Sequence, residues 1–324
     1  MTSASSDTGA SKSRRRRIDP AILIAYGCVV ALLLVGSLYS PNFLSLPYLL
    51  QQLKVASFLG IIATGMMFVI LIGQIDLSVP WIVTTGAMMA SAAAGHGGWA
   101  LVLSVPFGLL CGAAIGALNG FVIAYMRVPS MIVTMATNAV AQGLMVAYTG
   151  GFSPRDTASP FMRWLATGSV IPDVANGVIV WAIIAVLAVF VLSGTTFGRS
   201  LYAIGNRERA AYLSGIATRR ITLLTFMASG TLSALGGVLL AGYAAKASQS
   251  MGDAYLLPSI AAVVLGGTHV LGGKGSYAGT VAGVILVTLL QSILSVMQIE
   301  EAGRQLIYGV VIIAMLLLYG RQPR

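Results

Sequence analysis

Among 324 residues only nine are acidic and two are histidine, so the side chains able to hold a metal, move a proton or activate a nucleophile can be weighed one by one. Asp76 lies in Gly73-Gln74-Ile75-Asp76-Leu77-Ser78, between two apolar runs. A carboxylate at bilayer depth costs about 2.5–3.5 kcal/mol on insertion scales, so it faces protein, water or a partner rather than lipid. Two roles suit it. Asp76 and Ser78 together cap the following helix, their oxygens accepting its free N–H groups, or Asp76 lies on a transport path with Gly73, Gln74 and Ser78. His96 and His269 are the only histidines, too few for a His-rich metal set or an HExxH pair. Gly272-Gly273-Lys274-Gly275-Ser276 has the look of a phosphate loop, but that loop needs Gly where Thr268 stands and Ser or Thr where Gly275 stands. Cys28 and Cys111 sit inside apolar runs and cannot build a thiolate site. The chain therefore reads as no enzyme, binding no cofactor or metal of its own.

The composition says what must position these residues. Hydrophobic side chains make up 57% of the chain and charged ones 9%, against about 25% charged in soluble domains, so lipid is the solvent for most of it. Hydropathy marks ten segments, near 20–39, 52–72, 78–94, 100–125, 130–148, 178–194, 221–243, 256–271, 277–297 and 303–320. The fold class expected is an all-α polytopic membrane helical bundle of about ten transmembrane helices with short re-entrant or broken segments. Its parts are a basic tail over 1–19, a permease domain over 20–320 and a short C-terminus over 321–324.

Charge sets the orientation. With the tail inside, ten passes place Lys12, Arg14, Arg15, Arg16, Arg17, Arg127, Arg199, Arg207, Arg209, Arg219, Arg220, Lys274, Arg321 and Arg324 on the inner side. Only Lys54, Arg155, Arg163, Lys246 and Arg304 fall outside, the asymmetry expected when both termini are cytoplasmic. The net charge of +10 thus follows membrane topology. The basic residues form no single stripe with interleaved aromatics, so no nucleic-acid partner is expected.

Two connections are long. The outer loop 149–177 holds Pro154, Pro160 and Pro172 and the cluster Phe161-Met162-Arg163-Trp164, suited to a short interfacial or docking helix. The inner loop 195–220 carries Gly205, Asn206, Glu208, Arg209, Ala210, Ala211, Leu213, Ser214 and Gly215. Asn206 suits an N-cap, Glu208 the first turn, and Gly215 a left-handed stop. The two-turn helix between them presents Ala210, Leu213 and Ile216 as an apolar face for a groove in a cytosolic partner; a basic loop resting on anionic lipid is the alternative. Glycines at four-residue spacing, such as Gly112, Gly116 and Gly120, with Gly230 and Ala234, favour close helix packing in lipid. The third and eighth segments are both short and both open near a proline, Pro80 and Pro258, an arrangement that in inverted-repeat transporters marks the pathway.

These residues carry a family resemblance. Gly73 to Ser78 resembles the GGIDLSVG stretch of the ribose-type permease subunits of bacterial ABC sugar importers, within the branched-chain amino acid and ribose permease superfamily. Asn119-Gly120 and Val128 to Thr134 resemble their NG and PxFIxTL elements, residues 198–216 their GrxxyAiGgNxxAAxxsGI segment, and Ala261 to Ser276 their AAvvlGGtsxxGGxGs run. The chain differs at Gln74, Pro80, Ser130-Met131 and the single glycine Gly205. The resemblance implies a permease moving a monosaccharide or related polyol by alternating access in the bacterial inner membrane. It implies a separate ATP-binding subunit, which holds ATP and Mg, a periplasmic or lipid-anchored sugar-binding protein, and a second permease copy, as a homodimer ahead of a heterodimer. Residues 206–215 would be the coupling helix, and Gly73, Gln74, Asp76, Ser78, Asn119, Thr134 and Asn138 are path candidates. The reading it competes with is an ion-coupled secondary transporter of small polar solutes, which needs intramembrane ionisable groups.

Overall fold

The computed structural model describes residues 20–320 apart from 40, 153 and 155; the basic tail, Arg155 and residues 321–324 lie outside it. Twelve α-helices make up the described chain: α1 (Pro20–Tyr39), α2 (Leu46–Leu71), α3 (Val79–Ala94), α4 (Trp99–Met126), α5 (Ser130–Thr149), α6 (Pro160–Thr167), α7 (Asn176–Gly194), α8 (Thr196–Leu213), α9 (Thr218–Ala244), α10 (Leu256–Leu265), α11 (Tyr277–Val296) and α12 (Glu301–Gly320). Two isolated bridges, Thr157 with Lys246 and Ile171 with Val174, are the only β pairing among the described residues. The bundle is all-α, as composition and periodicity require. Six helices are long and apolar enough to cross a membrane, namely α2, α4, α5, α7, α9 and α11, with shorter apolar helices among the rest.

Helix α2 is the axis. Every residue from Ala56 to Leu71 is buried, the condition of a helix that is apolar all round. Its neighbours include α7, α9, α10 and α11. The outer faces of α4 and α7 leave Leu103, Leu110, Leu118, Ile183, Val186 and Phe190 exposed, a surface that lipid covers and water would not.

The most extensive contact in the bundle joins α4 to α9, and small residues make it. A Cβ at Gly112 would strike Ala234 and the Gly230 carbonyl, one at Gly116 the Phe226 carbonyl, and one at Gly120 the Leu223 backbone. The four-residue spacing seen in the sequence is therefore the seam between two backbones. Because the obstructing atoms are backbone, Gly116→Leu is expected to lower stability by about 1–3 kcal/mol or more. Gly143→Leu on α5, where nothing lies within 4 Å of the added Cβ, should leave the unfolding temperature in detergent unchanged. Equal melting of the two variants would contradict this seam.

The short segments are broken helices. At about 1.5 Å per residue, α3 with 16 residues and α10 with 10 fall well short of a hydrocarbon layer about 30 Å thick. Their opening ends meet: the Gly252 N–H, just before α10, donates to Thr84 Oγ1 at 3.2 Å, and Gly252 is packed against the Pro80 backbone. The apolar run read as one span over 256–271 stops at Leu265. Positive φ at Gly267, Gly272 and Gly273 turns the chain there instead.

Candidate functional site

Asp76 is fully buried and sits just ahead of α3. Its Oδ1 accepts from the Ser78 N–H at 3.0 Å and from the Ser78 hydroxyl, and its Oδ2 accepts from Ser229 Oγ of α9 at 3.0 Å. Ser78 Oγ in turn accepts from Asn119 Nδ2 of α4 at 2.8 Å. Helix α5 serves the same end of α3 from another side: Thr134 Oγ1 accepts from the Leu77 N–H at 3.0 Å and Asn138 Oδ1 from the Trp81 N–H at 3.3 Å. Thr134 and Asn138 are four residues apart, as are Leu77 and Trp81, so one face of α5 meets one face of the helix start. A helix opening inside a membrane has N–H groups that water cannot satisfy. Here Asp76 and α5 supply the acceptors, while Asn119 of α4 and Ser229 of α9 donate to Ser78 Oγ and Asp76 Oδ2.

Asp76, Ser78, Asn119, Thr134 and Asn138 are thus brought together; Asp76 accepts the Ser78 N–H, but Ser78, at the N-cap position, caps no N–H of α3, its hydroxyl being taken by Asp76 and Asn119 instead. Ser229 was not foreseen, because a serine in an apolar helix usually bonds its own backbone. The available signal was Thr225, Ser229 and Ser233 at four-residue spacing, all three buried. Gly73 and Gln74 lie apart from this network. Gly73 has φ +76° and packs on the Leu271 carbonyl, where a Cβ would come within 2.9 Å. Gln74 lines a cavity of about 830 Å³ between the α4–α5 turn, α8 and the start of α9.

A second cluster lies at the end of the bundle that carries α8. The Gly273 N–H donates to the Leu71 carbonyl at 2.9 Å, joining the loop after α10 to the end of α2. Gly205 is wedged on the same spot, where a Cβ would collide with the Leu71 carbonyl and the Gly273 amide. Tyr202 Oη donates to the Gly275 carbonyl at 3.0 Å. The glycine run that resembled a phosphate loop is therefore a seat for α8.

The helix expected over 206–215 differs in its start and its faces. Helix α8 begins at Thr196 and breaks at Arg207 (φ −160°, ψ 105°), so the extended residue before its second part is Arg207 and not Asn206. Asn206 lies against Gly273. Ala211 is buried and Ile216 packs on the core, while Ala210, Tyr212 and Leu213 are exposed with Arg207, Glu208 and Arg209. The anticipated face of Ala210, Leu213 and Ile216 is thus split: the chain's own packing takes Ile216, together with Ala211, and leaves Tyr212 and Leu213 outward. The stop holds as expected, with φ +85° at Gly215 and the Ile216 N–H donating to the Ala211 carbonyl at 3.1 Å after Ser214. At the opposite end the 149–177 loop does form a short helix, α6, capped by Ser159 Oγ accepting from the Met162 N–H at 3.1 Å. Its Phe161 and Trp164 rings stack outward at 6.0 Å.

Two broken helices thus meet inside a helical bundle, and the bent helix α8 is seated on backbone that leads into both. The chain belongs to the family described as branched-chain amino acid transport system / permease component, whose model matches residues 48–316. It is 34% identical over 296 residues to a ribose import permease protein of Haemophilus influenzae, covering 89% of this chain and 90% of that one. It is 35% identical to a ribose import permease protein of Bacillus subtilis, covering 89% of each. An autoinducer 2 import system permease protein of Yersinia enterocolitica is 30% identical, covering 90% of this chain and 81% of its own. No solved structure matches. The protein is a multi-pass inner-membrane permease of the ABC importer class, a class that works with an ATP-binding subunit and a substrate-binding protein.

Proposed function

We propose that this permease moves a monosaccharide or related polyol into the cytosol by alternating access, driven by ATP hydrolysed with Mg on the partner subunit, with α8 and both termini on the cytosolic side. The observation that carries the reading is the seat of Gly205 on Leu71 and Gly273. Two residues beyond Leu71 the chain enters Gly73–Ser78, and six residues before Gly273 it leaves the turn that ends α10. A push on residues 206–215 thus reaches both broken helices through backbone contacts, which cannot yield by side-chain rotation. The relatives' names supply the substrate class, and a pathway for uncharged solutes calls for weak hydrogen-bonding surfaces rather than ion sites. A second permease copy, an identical one in preference to a different one, completes the pair. A sugar-binding protein docks at the α6 end.

The ion-coupled alternative draws its support from Asp76 as an intramembrane acid. Both carboxylate oxygens there are already occupied by donors from the protein, which favours the cap.

Leu213 and Tyr212 are 78% and 66% exposed and are the contacts to test, since Glu at the buried Ala211 would disturb α8 itself. Leu213→Glu should leave the chain folded in the membrane but weaken capture of the ATP-binding subunit by about thirtyfold, the effect of losing a central apolar anchor. Uptake in proteoliposomes holding all three components should fall with it. Full uptake by that variant, or uphill uptake by the permease alone under a proton or sodium gradient, would refute the reading.

A further inference from the structure

The cavity of about 830 Å³ at the α8 end combines two kinds of chemistry. Its floor holds the buried residues Thr218 and Thr222 beside Gln74, whose Oε1 is buried without a hydrogen-bond partner. Its rim carries the exposed residues Arg127, Arg209 and Arg219 against the single carboxylate of Glu208. None of these four charged groups is in an ion pair with another described residue; Arg219 rests over the Tyr125 ring at 5.8 Å. The volume falls within the range of about 300–1,000 Å³ usual for small-molecule sites.

A buried amide oxygen with no donor calls for a hydroxyl. Three arginines that line the cavity from separate elements, the α4–α5 turn, α8 and α9, call for a compact anion with several acceptor oxygens. A neutral sugar would answer the floor and leave the rim unmatched; inorganic phosphate would answer the rim alone. A polyhydroxy phosphate monoester answers both. We propose that this cavity binds a sugar phosphate, the class of product formed when a kinase acts on an imported sugar. Bound there, it ties Arg209 of the coupling segment to Arg127 and Arg219 of the bundle and so slows further import. The proposal rests on the reading of the chain as a sugar permease with α8 in the cytosol.

The test is calorimetric titration of the full chain in phosphatidylcholine nanodiscs with ribose 5-phosphate, ribose and inorganic phosphate. Ribose 5-phosphate should bind at least about tenfold more tightly than either comparator, and the double variant Arg127→Gln/Arg219→Gln should lose about tenfold or more, as expected for removal of charged hydrogen bonds. Should the double variant not fold, each single variant should show a smaller loss. In proteoliposomes, ribose 5-phosphate on the α8 side should inhibit uptake by the native chain and not by the variant. Equal binding of inorganic phosphate, or unchanged affinity in the variants, would overturn the site. Loss of binding in phosphatidylglycerol nanodiscs would assign the rim to lipid headgroups, and displacement by the ATP-binding subunit would assign it to that partner; either result overturns the proposal. The titration needs neither ATP hydrolysis nor transport, so its failure and that of the permease reading are separable.

Discussion

Asp76→Ala is expected to remove most of the folded protein, whereas Asp76→Asn should keep it. Alanine strips the acceptor from the Ser78 N–H, the Ser78 hydroxyl and the Ser229 hydroxyl. The hydroxyls can turn to backbone carbonyls nearby, as serines in apolar helices do, but the N–H cannot turn. An interhelical bond such as that from Ser229 contributes about 0.6 kcal/mol on average in membranes, while a buried orphaned group costs about 1–3 kcal/mol. The N–H, with its loop released, therefore dominates, and a loss of about 2–4 kcal/mol follows for alanine. Asparagine keeps an Oδ1 for Ser78, and its amide can donate to Ser229 Oγ. Membrane yield and unfolding temperature measured beside uptake separate the roles: a cap predicts that asparagine restores all three. An asparagine variant that folds fully yet transports nothing would instead put the carboxylate in contact with the passing solute.

Gly205→Val should cut transport by about tenfold or more while leaving the ATP-binding subunit attached. The atoms facing a Cβ at Gly205 are the Leu71 carbonyl and the Gly273 backbone, so α8 itself must lift from its seat. Overpacking costs about 1–3 kcal/mol where side chains can adjust, and here none can. Tyr212 and Leu213 remain outward for docking. The expected result is ATP hydrolysis that no longer rises when loaded binding protein is added, with uptake reduced by about tenfold or more, the effect of losing 1.4 kcal/mol of coupling. Gly205→Ala should show the same defect more weakly. Normal uptake by the valine variant would show that the seat on α2 transmits nothing.

The spans were legible because each is a long apolar run between polar or glycine-rich breaks, and lipid enforces that pattern on every crossing helix. The small-residue spacing on α4 and α9 was equally open to reading, although which helix met which was not. The capping partners of Asp76 show the limit most clearly. Its bond to the Ser78 N–H is a local cap of the kind the sequence suggests; its bond to Ser229 crosses 153 positions, and the Thr225, Ser229, Ser233 spacing marks a polar stripe on α9 without naming its partner. The α8 face was misassigned for a similar reason. Helical spacing says which residues share a stripe, but the break at Arg207 rotates the second part, and only the packing of Ala211 shows which stripe turns inward.

By itself, the order of residues determined an all-helical membrane bundle, the position of its polar interruptions and, through four ordered motifs, the permease family. These follow from interactions between chain and solvent or between near neighbours, and both are written locally. Tertiary structure alone decided that Gly205, Leu71 and Gly273 share one contact, that side chains of α4, α5 and α9 all bond the segment opening α3, and that Gln74 and three arginines line one cavity. Such contacts depend on the relative placement of helices, which in lipid is set by close backbone fit along whole interfaces rather than by any single residue's preference.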